Sequence, residues 1–140
     1  MGLGKTAQTV SFLQRCLSPP APAPGLPGAR CLGPALVVVP LSTVSHWERE
    51  LKEWTSLRTL TLTGDGVSRE IIFRQEWWHE DPDSGERLTP QEHGCPLKFD
   101  VLVTTFGMLR AESGRVSRED WSVLVVDEAH RMKNSTSQVL

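Results

Sequence analysis

The chain has 140 residues, of which 39% are hydrophobic and 23% charged, with a formal net charge of −2. That length suits one domain with a real core and falls short of two. No apolar run approaches the roughly twenty residues that span a bilayer, and the slight acidity excludes a protein that holds nucleic acid mainly by bulk positive charge.

The N-terminal stretch MGLGKTAQTV lacks the basic-then-apolar pattern of a secretory signal. Cys16, Cys31 and Cys95 form no C-x-x-C pair, so reduced thiols in an intracellular protein are expected rather than a disulfide framework or a zinc module. Residues 5–17 space Ala7, Val10, Leu13 and Leu17 at helical intervals, which predicts a helix directly after the glycines. Residues 18–34 hold six of the ten prolines, and prolines fix φ and remove donors, so this stretch reads as a loop or insertion. ALVVV at 35–39, stopped by Pro40, has the continuous apolar character of a strand covered on both faces.

Val44, Trp47, Leu51 and Trp54 predict a second helix over 43–54, with Ser42 or Thr43 as its N-cap. TLTLT at 59–63 alternates as a strand does and ends at Gly64-Asp65-Gly66; a helix over 67–79 would then use Val67, Ile71 and Trp78. A polar loop occupies 80–96, and DVLVTTF (100–106) and SVLVV (122–126) return to β-branched strands. The alternation of helix and strand implies an α/β fold with a mostly parallel sheet flanked by helices.

Two motifs carry chemistry. Gly2-Leu3-Gly4-Lys5-Thr6 opens the first helix: glycines let backbone N–H groups approach phosphates, the lysine reaches the terminal ones, and the threonine hydroxyl suits magnesium. The first glycine of the full G-x-x-x-x-G-K-[ST] pattern would precede Met1. Asp127-Glu128-Ala129-His130 follows a strand, and in a parallel sheet such residues emerge at the carboxyl edge where ligands bind. There Asp127 can hold Mg2+ through water, and Glu128 can orient or deprotonate the water that attacks the γ-phosphate of ATP. The plain alternative for each motif is a glycine turn or a polar pair at a helix start.

These residues resemble the Snf2 group of superfamily 2 helicase-like ATPases, which share a GLGKT loop and a DEAH box followed by R-x-K-N, here Asp127 to Asn134. Pro40-Leu41-Ser42-Thr43 with Trp47-Glu48-Arg49-Glu50 and Trp54 looks like the second block of the chromodomain-helicase-DNA-binding remodellers, and Thr104-Thr105-Phe106 like their next block. The match is colinear from residue 1 to about 137. It implies a RecA-like P-loop NTPase lobe, incomplete because the first strand is missing, with residues 1–140 as a partial N-terminal helicase ATP-binding lobe. It also implies Gly2, Leu3, Gly4, Lys5 and Thr6 as the nucleotide loop, Thr6 and Asp127 at Mg2+, Lys5, Asp127 and Glu128 as catalytic residues, and His130 as a coupling residue. Ser42, Thr43, Thr104 and Thr105 would then contact the DNA backbone. The implied setting is the nucleus, acting on DNA and nucleosomes through a longer parent that supplies a second ATPase lobe, without a membrane.

The Pro-rich stretch at 18–34 is longer than the resemblance leads one to expect. Two other readings stand beside the motor: a truncated, non-catalytic interaction or dominant-negative fragment, and a DEAH-box RNA helicase lobe. Arg131-x-Lys133-Asn134 and the tryptophan-bearing helix speak against the second of these. Asp81-x-Asp83-x-Gly85 mimics a calcium loop faintly, but Glu86 stands where that motif requires glycine. His79, His93 and Cys95 fit no structural zinc spacing. Trp77-Trp78 has acidic neighbours rather than a positive groove, which predicts packing for at least one ring.

Overall fold

A computed structural model describes residues 3–17, 33–88 and 97–127. The elements run α1 (Leu3–Leu17), β1 (Ala35–Val38), a 3-10 turn (Leu41–Thr43), α2 (Val44–Trp54), β2 (Thr59–Leu62), α3 (Gly66–Ile71) passing into a π turn (Ile72–Glu76), β3 (Val101–Thr104), α4 (Phe106–Ala111), α5 (Ser113–Val116) and β4 (Val123–Val126). The four strands form one sheet in the order β2-β3-β1-β4, and every pairing is parallel. The register is flush: Val38 is level with both Thr104 and Val126, and Leu62 with Thr104.

Period-two alternation divides the strand side chains between two cores. On one face Ala35, Val37, Val39, Val101 and Val103 meet Val10 and Leu13 of α1 and Val44, Trp47 and Leu51 of α2. On the other, Leu36, Val38, Leu60, Leu62 and Leu102 meet Phe73, Trp77, Leu97, Phe99 and Val116. Helices on both faces explain why β1 reads as an unbroken apolar run and why all four residues of both β1 and β3 are buried. Strand β2 covers its second face differently: Leu60 and Leu62 are buried, whereas Thr61 hydrogen-bonds Glu48 of α2. A side chain such as Leu51, wholly removed from water, contributes roughly 2 kcal/mol.

The predicted helix over 67–79 departs from expectation. Val67 is 71% and Ile71 48% exposed, and the buried residues are instead Phe73 and Trp77. Phe73 and Trp77 stand four residues apart and so share a helix face, and it is this face that packs on the sheet, whereas Val67 and Ile71 lie in α3 and point away from it. Asp65 caps the start of α3 by accepting the Ser68 amide at 2.8 Å, and Gly64 before it has φ +101°, a conformation that disfavours a β-carbon. The strand expected over 100–106 ends at Thr104, since Thr105 accepts the Met108 amide at 3.2 Å and caps α4. At the lead-in to β1, a β-carbon on Gly33 would lie 2.0 Å from the Asp120 carbonyl oxygen, so only glycine passes there. Residues 18–32 of the Pro-rich stretch and 89–96 of the polar loop lie outside the described residues. The described part of that loop doubles back through antiparallel bridges Trp78↔Leu97 and Glu80↔Arg87. No helix among the described residues is long and apolar enough to cross a membrane.

Candidate active site

Parallel strands in flush register end together, so the turns that follow them share one edge. The Asp127 amide donates to the Val38 carbonyl at 2.9 Å, which sets Asp127 immediately beyond β4 and beside the end of β1. The Val39 amide donates to the Thr104 carbonyl at 2.9 Å, bringing the end of β3 to the same level. The three segments Pro40–Thr43, Thr104–Thr105 and Asp127, scattered along the sequence, are thereby gathered at the carboxyl edge of the sheet.

Helix α1 brings a fourth. Gln14, near its end, accepts the Ser56 amide at 2.9 Å, and Ser56 lies just ahead of β2 at the opposite, amino edge. Arg58 and Asp100 mark that edge too, joined at 3.1 Å before β2 and β3 begin. Thr6 and Lys5 stand about 12 and about 14 Å further along the helix axis at the usual rise per residue. That length is comparable with the height of a four-residue strand, so α1 directs its first turn toward the edge that carries Asp127. Lys5 is exposed and Thr6 is buried at 6%. Of the other residues expected to form the nucleotide loop, Leu3 and Gly4 belong to the first turn of α1, while Gly2 lies outside the described residues, as do Glu128 and His130.

The hydroxyl-bearing turns are less uniform than their sequence suggests. Ser42 is exposed. Thr43 occupies the N-cap position of α2, but its hydroxyl donates backwards to the Pro40 carbonyl at 2.9 Å and caps no helical N–H, which corrects the expected capping role. Thr104 departs furthest from expectation: its side chain is wholly buried, and its hydroxyl donates to the Leu62 carbonyl at 2.9 Å. That hydroxyl ties β3 to β2 and is out of reach of an outside partner. Thr105, half-buried at the head of α4, is the residue of the pair nearer the surface.

One polar contact at this edge was not foreseen. The Trp47 indole Nε1 donates to Asp127 Oδ2 at 3.1 Å. In the sequence Trp47 reads as one member of the apolar stripe of α2, and it is indeed buried to 3%. The signal that it does more is its N–H, since a buried indole donor needs an acceptor and the stripe offers none. At the far flank of the molecule Trp77 is fully buried as expected, and its Nε1 donates to Glu119 Oε1 at 3.1 Å. Burial pushes the Glu119 carboxyl above its ordinary value, against the opposing effects of the Trp77 hydrogen bond and nearby Arg87.

Comparison with known proteins gives a consistent result. The SNF2-related domain family matches residues 1–140. The chain is 39% identical over 140 residues to chromodomain-helicase-DNA-binding protein 8 of Xenopus tropicalis and 37% identical to the Homo sapiens protein of the same name. It is 35% identical over 144 residues to chromodomain-helicase-DNA-binding protein 6 of Homo sapiens. Each alignment covers 100% of this chain, which spans 5 to 6% of the length of these relatives.

Proposed function

Because this chain belongs to the SNF2-related domain family, which has a P-loop NTPase fold, we propose that it is the ATP-binding part of a DNA-translocating chromatin-remodelling ATPase. In this reading residues 1–140 are a partial N-terminal lobe of RecA-like type that works in the nucleus, within a longer protein that supplies a second ATPase lobe. What supports it is the all-parallel sheet with the start of α1, Asp127 and the two hydroxylated turns at its carboxyl edge. The names of the relatives, which join helicase and DNA binding to a chromodomain, support the choice of substrate.

The donor set suits magnesium, since Thr6 offers a hydroxyl and Asp127 a carboxylate, the hard oxygen ligands that ion prefers. When bound, Mg2+ supplies charge neutralisation on the phosphates. The chain's own residues do the rest. Backbone N–H groups of Gly2, Leu3 and Gly4, with the Lys5 ammonium, hold the phosphates at the helix start. Asp127 orients the magnesium shell, and Glu128 beside it accepts a proton from the attacking water. His130 links this box to neighbouring segments. Ser42 and Thr105 hold DNA phosphates, which positions a strand without reading its sequence, and Thr43 joins them only by giving up its hydroxyl bond to the Pro40 carbonyl.

DNA-stimulated ATP hydrolysis by the protein that carries this lobe together with its second lobe is the test. Lys5→Ala is expected to abolish nucleotide binding, and Glu128→Gln to retain binding while hydrolysis stops. Stimulation by RNA in place of DNA would favour the RNA-helicase reading, and failure of the parent protein to bind ATP would overturn the proposal.

A further inference from the structure

The Trp47–Asp127 hydrogen bond joins residues 80 positions apart and ties a helix of the aliphatic core to the carboxylate at the sheet edge. Its donor is unusually well fixed. The Trp47 ring is buried to 3% in the cluster that holds Val44 and Leu51 of its own helix, Val10 and Leu13 of α1, and Val37 and Val39 of β1. An indole has one N–H and no acceptor, so this group can only donate. A carboxylate has two oxygens with about four lone-pair sites. Held at Oδ2 by a donor packed in the core, the Asp127 group keeps both lone pairs of Oδ1 free of that bond. The backbone is pinned as well, through the Asp127 amide on the Val38 carbonyl at 2.9 Å.

We infer that Trp47 is a positioning residue for the magnesium site: its indole N–H fixes the Asp127 carboxylate so that Oδ1 faces the magnesium shell. The inference rests on the reading of Asp127 as the magnesium carboxylate. Groups that orient a metal's ligands through a hydrogen bond set its affinity by about tenfold or more, although they never touch it. Trp47 also lies one turn into α2, directly after the Leu41–Thr43 turn.

The test is equilibrium binding of a fluorescent ADP analogue to the protein carrying this lobe and its second lobe, with and without magnesium, which reads the site without turnover. Two replacements remove the donor: Trp47→Phe, and the sulfur isostere of tryptophan, which keeps the fused ring and lacks the N–H. Both are expected to cut the magnesium-dependent gain in ADP affinity about tenfold, with magnesium-free affinity unchanged. Asp127→Asn should lose the gain too, and adding Trp47→Phe to it should cost nothing further, as two residues acting through one bond require. Where the smaller phenylalanine fails to fold, the isostere decides. An isostere that keeps the full gain overturns the inference, because Trp47 would then act by packing alone, and so does one whose magnesium-free affinity falls by the same factor, because the N–H would then act on the nucleotide site without magnesium. A parent protein with no magnesium-dependent gain overturns the reading of Asp127 and the inference with it.

Discussion

Each face of the sheet buries one tryptophan whose indole donates to a carboxylate at 3.1 Å, Trp47 to Asp127 on one side and Trp77 to Glu119 on the other. The surroundings differ. Trp47 is the lone aromatic residue in an aliphatic cluster, and its acceptor lies at the carboxyl edge of the sheet. Trp77 sits in an aromatic nest, with ring centroids 4.6 Å from Phe73 and 4.9 Å from Phe99, and its acceptor lies in the turn between α5 and β4. Around that nest Arg69–Glu112 at 2.8 Å, Arg115–Glu70 at 2.8 Å and Arg74–Glu70 at 3.2 Å link the helices on that side. The same bond thus serves two ends. In the nest it satisfies a donor that packing has buried; at the edge it holds a carboxylate where parallel strands deliver ligands. Position in the fold, and not the contact, separates the two.

The largest effect expected from breaking this comparison is on the aromatic side. Trp77→Ala removes a fully buried ring that touches Phe73, Phe99 and Trp78, and leaves Glu119 without its donor. A loss of about 4 kcal/mol in stability is expected, read from the urea midpoint at unchanged slope. Lys5 provides the contrast: it is exposed, so Lys5→Ala is expected to leave that midpoint within about 0.5 kcal/mol of the parent while nucleotide binding is lost. A Lys5→Ala protein that unfolds early would mean that the helix start carries stability as well as ligand.

A smaller effect is expected between the two faces, at Thr104. Replacement by valine keeps the shape and removes the hydroxyl that donates to Leu62. The Leu62 carbonyl then loses a buried partner at a cost of about 1 to 2 kcal/mol, measured in the same way. If Thr104→Val instead weakens DNA stimulation at full stability, the hydroxyl leaves its strand partner during the working cycle, and the contact first expected of it is restored.

The four strands were legible because short β-branched runs bounded by proline, glycine or polar turns leave few alternatives, and the apolar continuity of ALVVV announced a strand covered on both faces. Sheet order was not legible, since nothing in ALVV or VLVV says which strand lies between which. The 67–79 helix was misjudged because its apolar residues offer two stripes at helical spacing, Val67, Ile71 and Trp78 or Phe73 and Trp77, and local pattern does not say which one faces the sheet. Helices α4 and α5 were missed for a related reason, as DVLVTTF continues β-like past the cap at Thr105. At the site, GKT and the DEAH box were legible as local patterns, with Gly2, Glu128 and His130 lying outside the described residues. The bond between Trp47 and Asp127 could not be read, because a contact across 80 residues depends on the register of two strands that no local pattern encodes.

The smallest effect is the pH dependence that the Trp77–Glu119 pair gives to stability. Burial holds the Glu119 carboxyl above its ordinary value of 4.5, so the folded protein binds that proton more tightly than the unfolded chain does. A raised carboxyl contributes stability that is fully present below the unfolded value and is lost as pH rises through the folded one. Stability is therefore expected to decline as pH climbs from the ordinary carboxylate value to the raised one, and then to level off. Glu119→Gln removes the titration while its amide oxygen can still accept from Trp77, so the difference in urea midpoint between variant and parent should move in the variant's favour across that window and stay constant above it. Trp77→Phe works the other way. It removes the hydrogen bond that lowers the Glu119 value, so the decline should extend to higher pH in that background. A flat difference between Glu119→Gln and the parent across the window would show that Glu119 is solvated in the folded protein, and the Trp77 bond would then lie at a wet margin of the aromatic nest.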